Sequence, residues 1–190
     1  KGGAAVSFDR AHVARALAVM TLAAASGGIL FNLTTNGNAQ LLTERFSGLM
    51  SDPARLGLLL GSVYAAASLA QVVVGRLLDR MALKPLYLGI VLLQVPALLL
   101  LSQAQGWWAY VAMVAVMVFI FGAIPFTDAM IARYVDDSMR SRVAGLRLAV
   151  SLGISSLAVW LLGPLVKRMG FDPLMLGLAG VALATAFTVL

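Results

Sequence analysis

Apolar and polar positions alternate along this chain in long blocks rather than in the short periods of a soluble helix or strand. A helix needs about 20 mostly apolar residues to cross hydrocarbon. Six blocks reach or nearly reach that length: Ala16 to Leu33, Leu56 to Val74, Leu86 to Leu101, Trp107 to Ile131, Val143 to Val166 and Leu174 to Leu190. No charge occurs from Pro85 to Thr127, too long a run for one span, and Ser102-Gln103-Ala104-Gln105-Gly106 is the break that divides it. That break predicts a tight turn, with Trp107, Trp108 and Tyr110 as interfacial anchors beyond it. The polar stretch from Gln40 to Asp52 predicts an external loop with room for a short surface helix, and Asp52-Pro53 has the form of a helix start. Asn32 to Gln40 is rich in Asn and Thr, whose side chains compete with a regular backbone ladder, so the first helix is expected either to bend there or to end near Leu33.

Composition narrows this to one class. Hydrophobic residues make up 61% of the chain and its mean hydropathy is +0.95, more apolar surface than a soluble core of this size accounts for. The expectation is an all-α, polytopic membrane bundle of six transmembrane helices over 16–190, preceded by a cytoplasmic linker over 1–15. The net charge of +6 does not point to nucleic acid, because the basic residues sit in short connections between apolar blocks, where they report topology. Ten of them fall on one side (Lys1, Arg10, Arg15, Arg76, Arg80, Lys84, Arg133, Arg140, Arg142, Arg147) and four on the other (Arg45, Arg55, Lys167, Arg168). The positive-inside rule then places both chain ends in the cytoplasm. The chain opens on Lys1 and stops at Leu190 inside an apolar run, so a longer parent with a truncated last helix is expected. A cleaved signal peptide is a poor alternative, since Asn36-Gly37-Asn38-Ala39 is a weak cleavage site and more spans follow. There is no cysteine, and no histidine or acidic cluster that offers metal ligands, so no cofactor or metal is expected.

Between the second and third blocks, four charges fall within Gly75-Arg76-Leu77-Leu78-Asp79-Arg80-Met81-Ala82-Leu83-Lys84. Gly75, Leu77, Asp79, Arg80 and Lys84 resemble the signature loop of the major facilitator superfamily of secondary transporters. Leu78, Ala82 and Leu83 replace its small residue, second glycine and second basic residue, as in the looser copy usual in C-terminal halves. Arg142-Val143-Ala144-Gly145, followed by Gly153 and Gly163-Pro164, resembles the start and end of that family's fifth and eleventh helices. The chain is thus similar to the C-terminal six-helix half of a twelve-helix transporter. The resemblance implies alternating access, with an ion (proton) gradient or the substrate's own gradient as the driving force, a plasma membrane (the inner membrane if bacterial), and an N-terminal six-helix half outside this chain. Val166-Lys167-Arg168 departs from the Gly-rich ending of family antiporters, so antiport is not implied.

Polar residues inside spans are costly, and where they share a helical face they point to a water-filled cavity. Gly57, Gly61, Tyr64, Ser68, Gln71 and Gly75 form one stripe, Thr21, Gly28, Asn32 and Asn36 a second, and Arg147, Ser151 and Ser155 a third with Trp160 farther along. The resemblance implies that the first, second, fourth and fifth helices face a central cavity. Asn32, Tyr64, Ser68, Gln71, Ser155 and Trp160 are therefore assigned to a small-molecule substrate cavity. Gly28, Gly57, Gly61 and Ser151 are read first as helix-contact positions, Gly57-x-x-x-Gly61 being such a motif by itself. Gln94 is left at the periphery. Gly75, Asp79, Arg80, Lys84 and Arg142 are assigned to the signature loop and gating. There the Asp79 carboxylate can meet the amides of a neighbouring helix N-terminus or pair with Arg80 or a base across the half interface. The alternative is that the bases only retain the loop inside. Asp128 is the one acid in an apolar span, about 7 Å of helical rise from Arg133. It reads first as an ion pair with Arg133, Arg142 or Arg147, and second as a protonation site for coupling.

Two other function classes compete. Gly153-Ile154-Ser155-Ser156 faintly resembles the nucleophile motif of an intramembrane serine protease, but such an enzyme needs an embedded histidine base, and the only histidine, His12, precedes the first span. The chain is therefore not expected to be an enzyme. A non-transporting receptor or assembly subunit on the same fold stays open, because fold does not determine function.

Overall fold

The computed structural model describes residues 10–134 and 137–190, without the side chains of 10–17, 20, 127 and 131–140. It is all-helical: α1 (Arg10–Arg45), α2 (Pro53–Leu78), α3 (Leu83–Gln103), α4 (Gly106–Tyr134), α5 (Asp137–Met169) and α6 (Phe171–Val189). Of the stretch read as linker, residues 1–9 lie outside the described residues, and Arg10 already begins α1. Connections as short as 79–82, 104–105 and the single residue Gly170 fold successive helices back on one another. Gly170 has φ +79° and Gly106 φ +54°, backbone that favours glycine. A Cβ on Gly106 would also lie 2.8 Å from Leu49, so the turn at Ser102–Gly106 closes against the α1–α2 loop.

The first helix corrects the sequence reading. It does not end near Leu33 or give way to a loop at Gln40, but runs 36 residues to Arg45. The reason is visible in its polar side chains, which fold back onto their own helix instead of breaking it. Asn32 Nδ2 donates to Gly28 O at 2.8 Å, Thr34 Oγ1 to Leu30 O at 2.7 Å, Asn36 Nδ2 to Asn32 O at 2.8 Å and Thr43 Oγ1 to Ala39 O at 2.9 Å. Gly37 then gives α6 and α5 close access, an added Cβ meeting Phe171 at 3.2 Å and Leu162 at 3.6 Å. The helix start expected at Asp52-Pro53 is present: Asp52 Oδ1 accepts from Ala54 N at 3.0 Å, with Pro53 in the first turn.

Among the described residues, five helices are long and apolar enough to cross a membrane, within Pro53–Leu78, Leu83–Gln103, Gly106–Met130, Ser141–Met169 and Phe171–Val189. The first predicted span, Ala16 to Leu33, reaches into side chains outside the described set. The core lies where α4 meets α2 and α3, where α3 meets α6, and where α1 meets α4, α5 and α6. Gln94, set aside from the sequence, is buried and donates to Phe119 O at 3.2 Å, tying α3 to α4. By contrast α2 and α5 each keep a broad apolar face open, with Leu58 75% and Leu146 69% exposed. Gly57 and Gly61 lie on the open side of α2 with no atom within 4 Å of a built Cβ, so within this chain they are not helix contacts.

Candidate functional site

The site is built from two helices whose small and polar residues repeat every fourth position. Arg147, Ser151 and Ser155 fall on one face of α5, and Ala24, Gly28 and Asn32 on one face of α1. Where these faces meet α4, a cleft of about 340 Å³ opens, lined also by Phe31, Tyr87 of α3 and the alanine and isoleucine side chains of Ala123, Ile120 and Ile124. Its volume exists because the α1 wall is made of Ala23, Ala24, Gly27 and Gly28, which leave space that larger side chains would fill.

Asn32 and Ser155 are brought together across that cleft. Asn32 Nδ2 donates to Ser155 Oγ at 2.9 Å as well as to Gly28 O, and Ser155 Oγ donates to Ser151 O at 2.7 Å. Both amide hydrogens of Asn32 and the hydroxyl hydrogen of Ser155 are thereby engaged. Gly28 combines the two roles weighed for it: it lines the cleft, and a Cβ there would touch Ile154 at 3.8 Å. Ser151 also lines the cleft.

At the other end of the α5 stripe, Arg147 Nη1 pairs with Asp128 Oδ1 of α4. The arginine side chain is 31% exposed and the carboxylate 72%. Arg147 lines the cleft and Asp128 does not, so among the described residues Arg147 is the one charged side chain in the lining. Arg142 is exposed near the start of α5, and the side chain of Arg133 lies outside the described residues.

The remaining assigned residues stand elsewhere. Tyr64 clasps α2 to α1, its hydroxyl donating to Thr35 O at 3.0 Å and accepting from Asn38 Nδ2 at 3.4 Å. Its ring packs 6.1 Å from Phe121, which in turn lies 5.4 Å from Phe31 in the cleft wall, so Tyr64 sits behind that wall. Ser68 is exposed and donates to Tyr64 O of its own helix at 2.8 Å, and Gln71 is half-buried on α2. Trp160 is 70% exposed on the open face of α5. The physical reason is that α2 packs mainly on α4 while the cleft is bounded by α1, α4 and α5, which leaves the α2 stripe outside.

The 79–82 loop holds its charges in the open. Gly75 is in the last turn of α2, Asp79 caps the end of that helix through its backbone N–H to Leu77 O, and the Asp79 and Arg80 side chains are exposed. Among the described residues neither forms an ion pair or a side-chain hydrogen bond. Lys84 Nζ donates to Leu190 O at 2.6 Å, joining the start of α3 to the end of α6.

One cluster escaped the sequence reading. Arg45, placed in an external loop, is buried at the end of α1, where Nη2 pairs with Asp172 of α6 and reaches Ser102 O of α3 at 3.4 Å. Its Nε, with Asn38 Oδ1 and Thr35 Oγ1 farther along α1, is buried without a hydrogen-bond partner among the described residues. Only its being a lone base in a polar stretch marked it, and that signal cannot tell a loop charge from a clamp. No protein family, curated protein or solved structure matches this chain.

Proposed function

We propose that this chain is a six-helix half of a membrane transporter of the major facilitator type, moving a small solute by alternating access. The observation that carries the reading is the cleft between α1, α4 and α5, whose lining holds Asn32 hydrogen-bonded to Ser155, and Arg147. Ser155 stands near the middle of the apolar stretch Ser141–Met169, and polar groups at such depth are retained where a solute passes. The resemblance of Gly75 to Lys84 and of Arg142 to Gly145 supports the family, as do five helices apolar enough to span a bilayer. In this reading the chain lies in a plasma membrane with six spans and both ends cytoplasmic, and the open faces of α2 and α5 meet lipid and an N-terminal half. The two halves rock about a site between them, driven by a proton gradient. The Asp128–Arg147 pair, at the cytoplasmic end of α4 and α5, breaks and re-forms as that side opens and closes.

The test is uptake and efflux of a broad solute panel in vesicles holding the full-length protein, with and without an imposed proton gradient. Gradient-dependent movement of one solute is the expected result. Folded protein that moves nothing across the panel would overturn the transport reading in favour of a receptor or assembly subunit.

A further inference from the structure

We infer that the cleft takes a small organic carboxylate with an apolar body, its carboxylate held by Arg147. The inference rests on the transport reading and names the substrate class for the same site. Its first ground is charge: among the described residues Arg147 is the one charged side chain in the lining, so once released from Asp128 it favours an anion and repels a cation. Its second is geometry. The guanidinium presents a planar fork that matches a carboxylate in two parallel hydrogen bonds.

The partner that Arg147 now holds is itself a carboxylate. Asp128 reaches it from outside the lining with a side chain 72% exposed, and a pair so open to solvent is weak. Asp128 therefore occupies the position a substrate carboxylate would take and can be exchanged for it at small cost. The far end of the cleft excludes a second charge. The amide hydrogens of Asn32 and the hydroxyl hydrogen of Ser155 are already engaged, and no cation among the described residues lies there. Arg147 and Ser155 are separated by about 12 Å of rise along α5, and the lining is mainly apolar apart from Asn32, Tyr87, Ser151 and Ser155. A carboxylate at one end of an aliphatic or phenylalkyl body fits that polarity, and about 340 Å³ is the small end of ligand sites.

The experiment is calorimetric titration of the purified full-length protein with hexanoate and 3-phenylpropionate, each against its neutral amide. At least one acid should bind, with its amide tenfold or more weaker. Arg147→Gln should weaken the acid by about tenfold or more, as loss of a charge-assisted pair requires, and Arg147→Lys should recover part of that loss. Asp128→Asn should tighten acid binding by removing the internal competitor, an outcome that a purely structural pair would not produce. Amides binding as well as acids, an unweakened Arg147→Gln variant, or no binding of either acid would each overturn the assignment. Acid binding without flux in vesicles would sink the transport reading and leave the carboxylate site standing. Flux of neutral or cationic solutes with no preference for acids would do the reverse.

Discussion

Arg45 and Arg147 show how differently two arginines at the ends of apolar runs can be used. Arg147 faces a cleft and keeps a solvent-exposed partner, whereas Arg45 is buried and joins α1 to Ser102 of α3 and Asp172 of α6. A buried cation that loses its counter-ion keeps its desolvation cost, so the pair matters more for what its breakage leaves behind than for its own strength. Asp172→Asn should therefore destabilise the fold by on the order of 1–2 kcal/mol, read as a lower Tm of the purified protein. Asp52→Asn is the matched control. Its pair with Arg55 at 3.4 Å is exposed, and Asn caps a helix as well as Asp, so Tm should hold. Equal Tm for both variants would remove the clamp role of Arg45.

At the scale of elements, the ends of the helices decide what a substitution reports. Asp79 terminates α2 through its backbone, and its side chain is exposed with no partner among the described residues. Asp79→Asn should thus leave stability within about 0.5 kcal/mol while cutting transport by the full-length protein, if the carboxylate works as a gate contact. Normal flux from that variant would reduce the loop to a topological anchor. The same attention to ends explains α1. Its Asn and Thr residues signalled a break, but hydrogen bonds to carbonyls one turn back supply the satisfaction that a loop would have given. Residue type could not foretell this, because the same side chains cap, bend or ride on a helix according to what packs beside it. Here Gly37 lies against Phe171 and Leu162, and continuing the helix buries that contact.

At the scale of the molecule, the alternating direction of the helices puts the 46–52 and 104–105 connections at one end and the 79–82 loop at the other. The proposed topology, which rests on the excess of bases, places the second end in the cytoplasm. This chain has no cysteine, so single cysteines in a cysteine-free background can test that assignment. Ser51→Cys should react with a membrane-impermeant maleimide in intact cells, and Met81→Cys only after permeabilisation. The reverse pattern would invert the proposed topology.

What the order of residues determined by itself is the helical class, the turn at Ser102–Gly106, the start at Asp52-Pro53 and the candidate polar positions. These follow from local rules: apolar length, turn chemistry and caps act within a few residues of the chain. Which stripes share a space was decided only by tertiary structure. Asn32, Ser155 and Arg147 line one cleft because α1 and α5 pack together, while Tyr64, Ser68 and Gln71, with as regular a spacing, lie outside it because α2 packs mainly on α4. A helical stripe reports a face and not its neighbour, and the neighbour is chosen by the fit of whole helix surfaces.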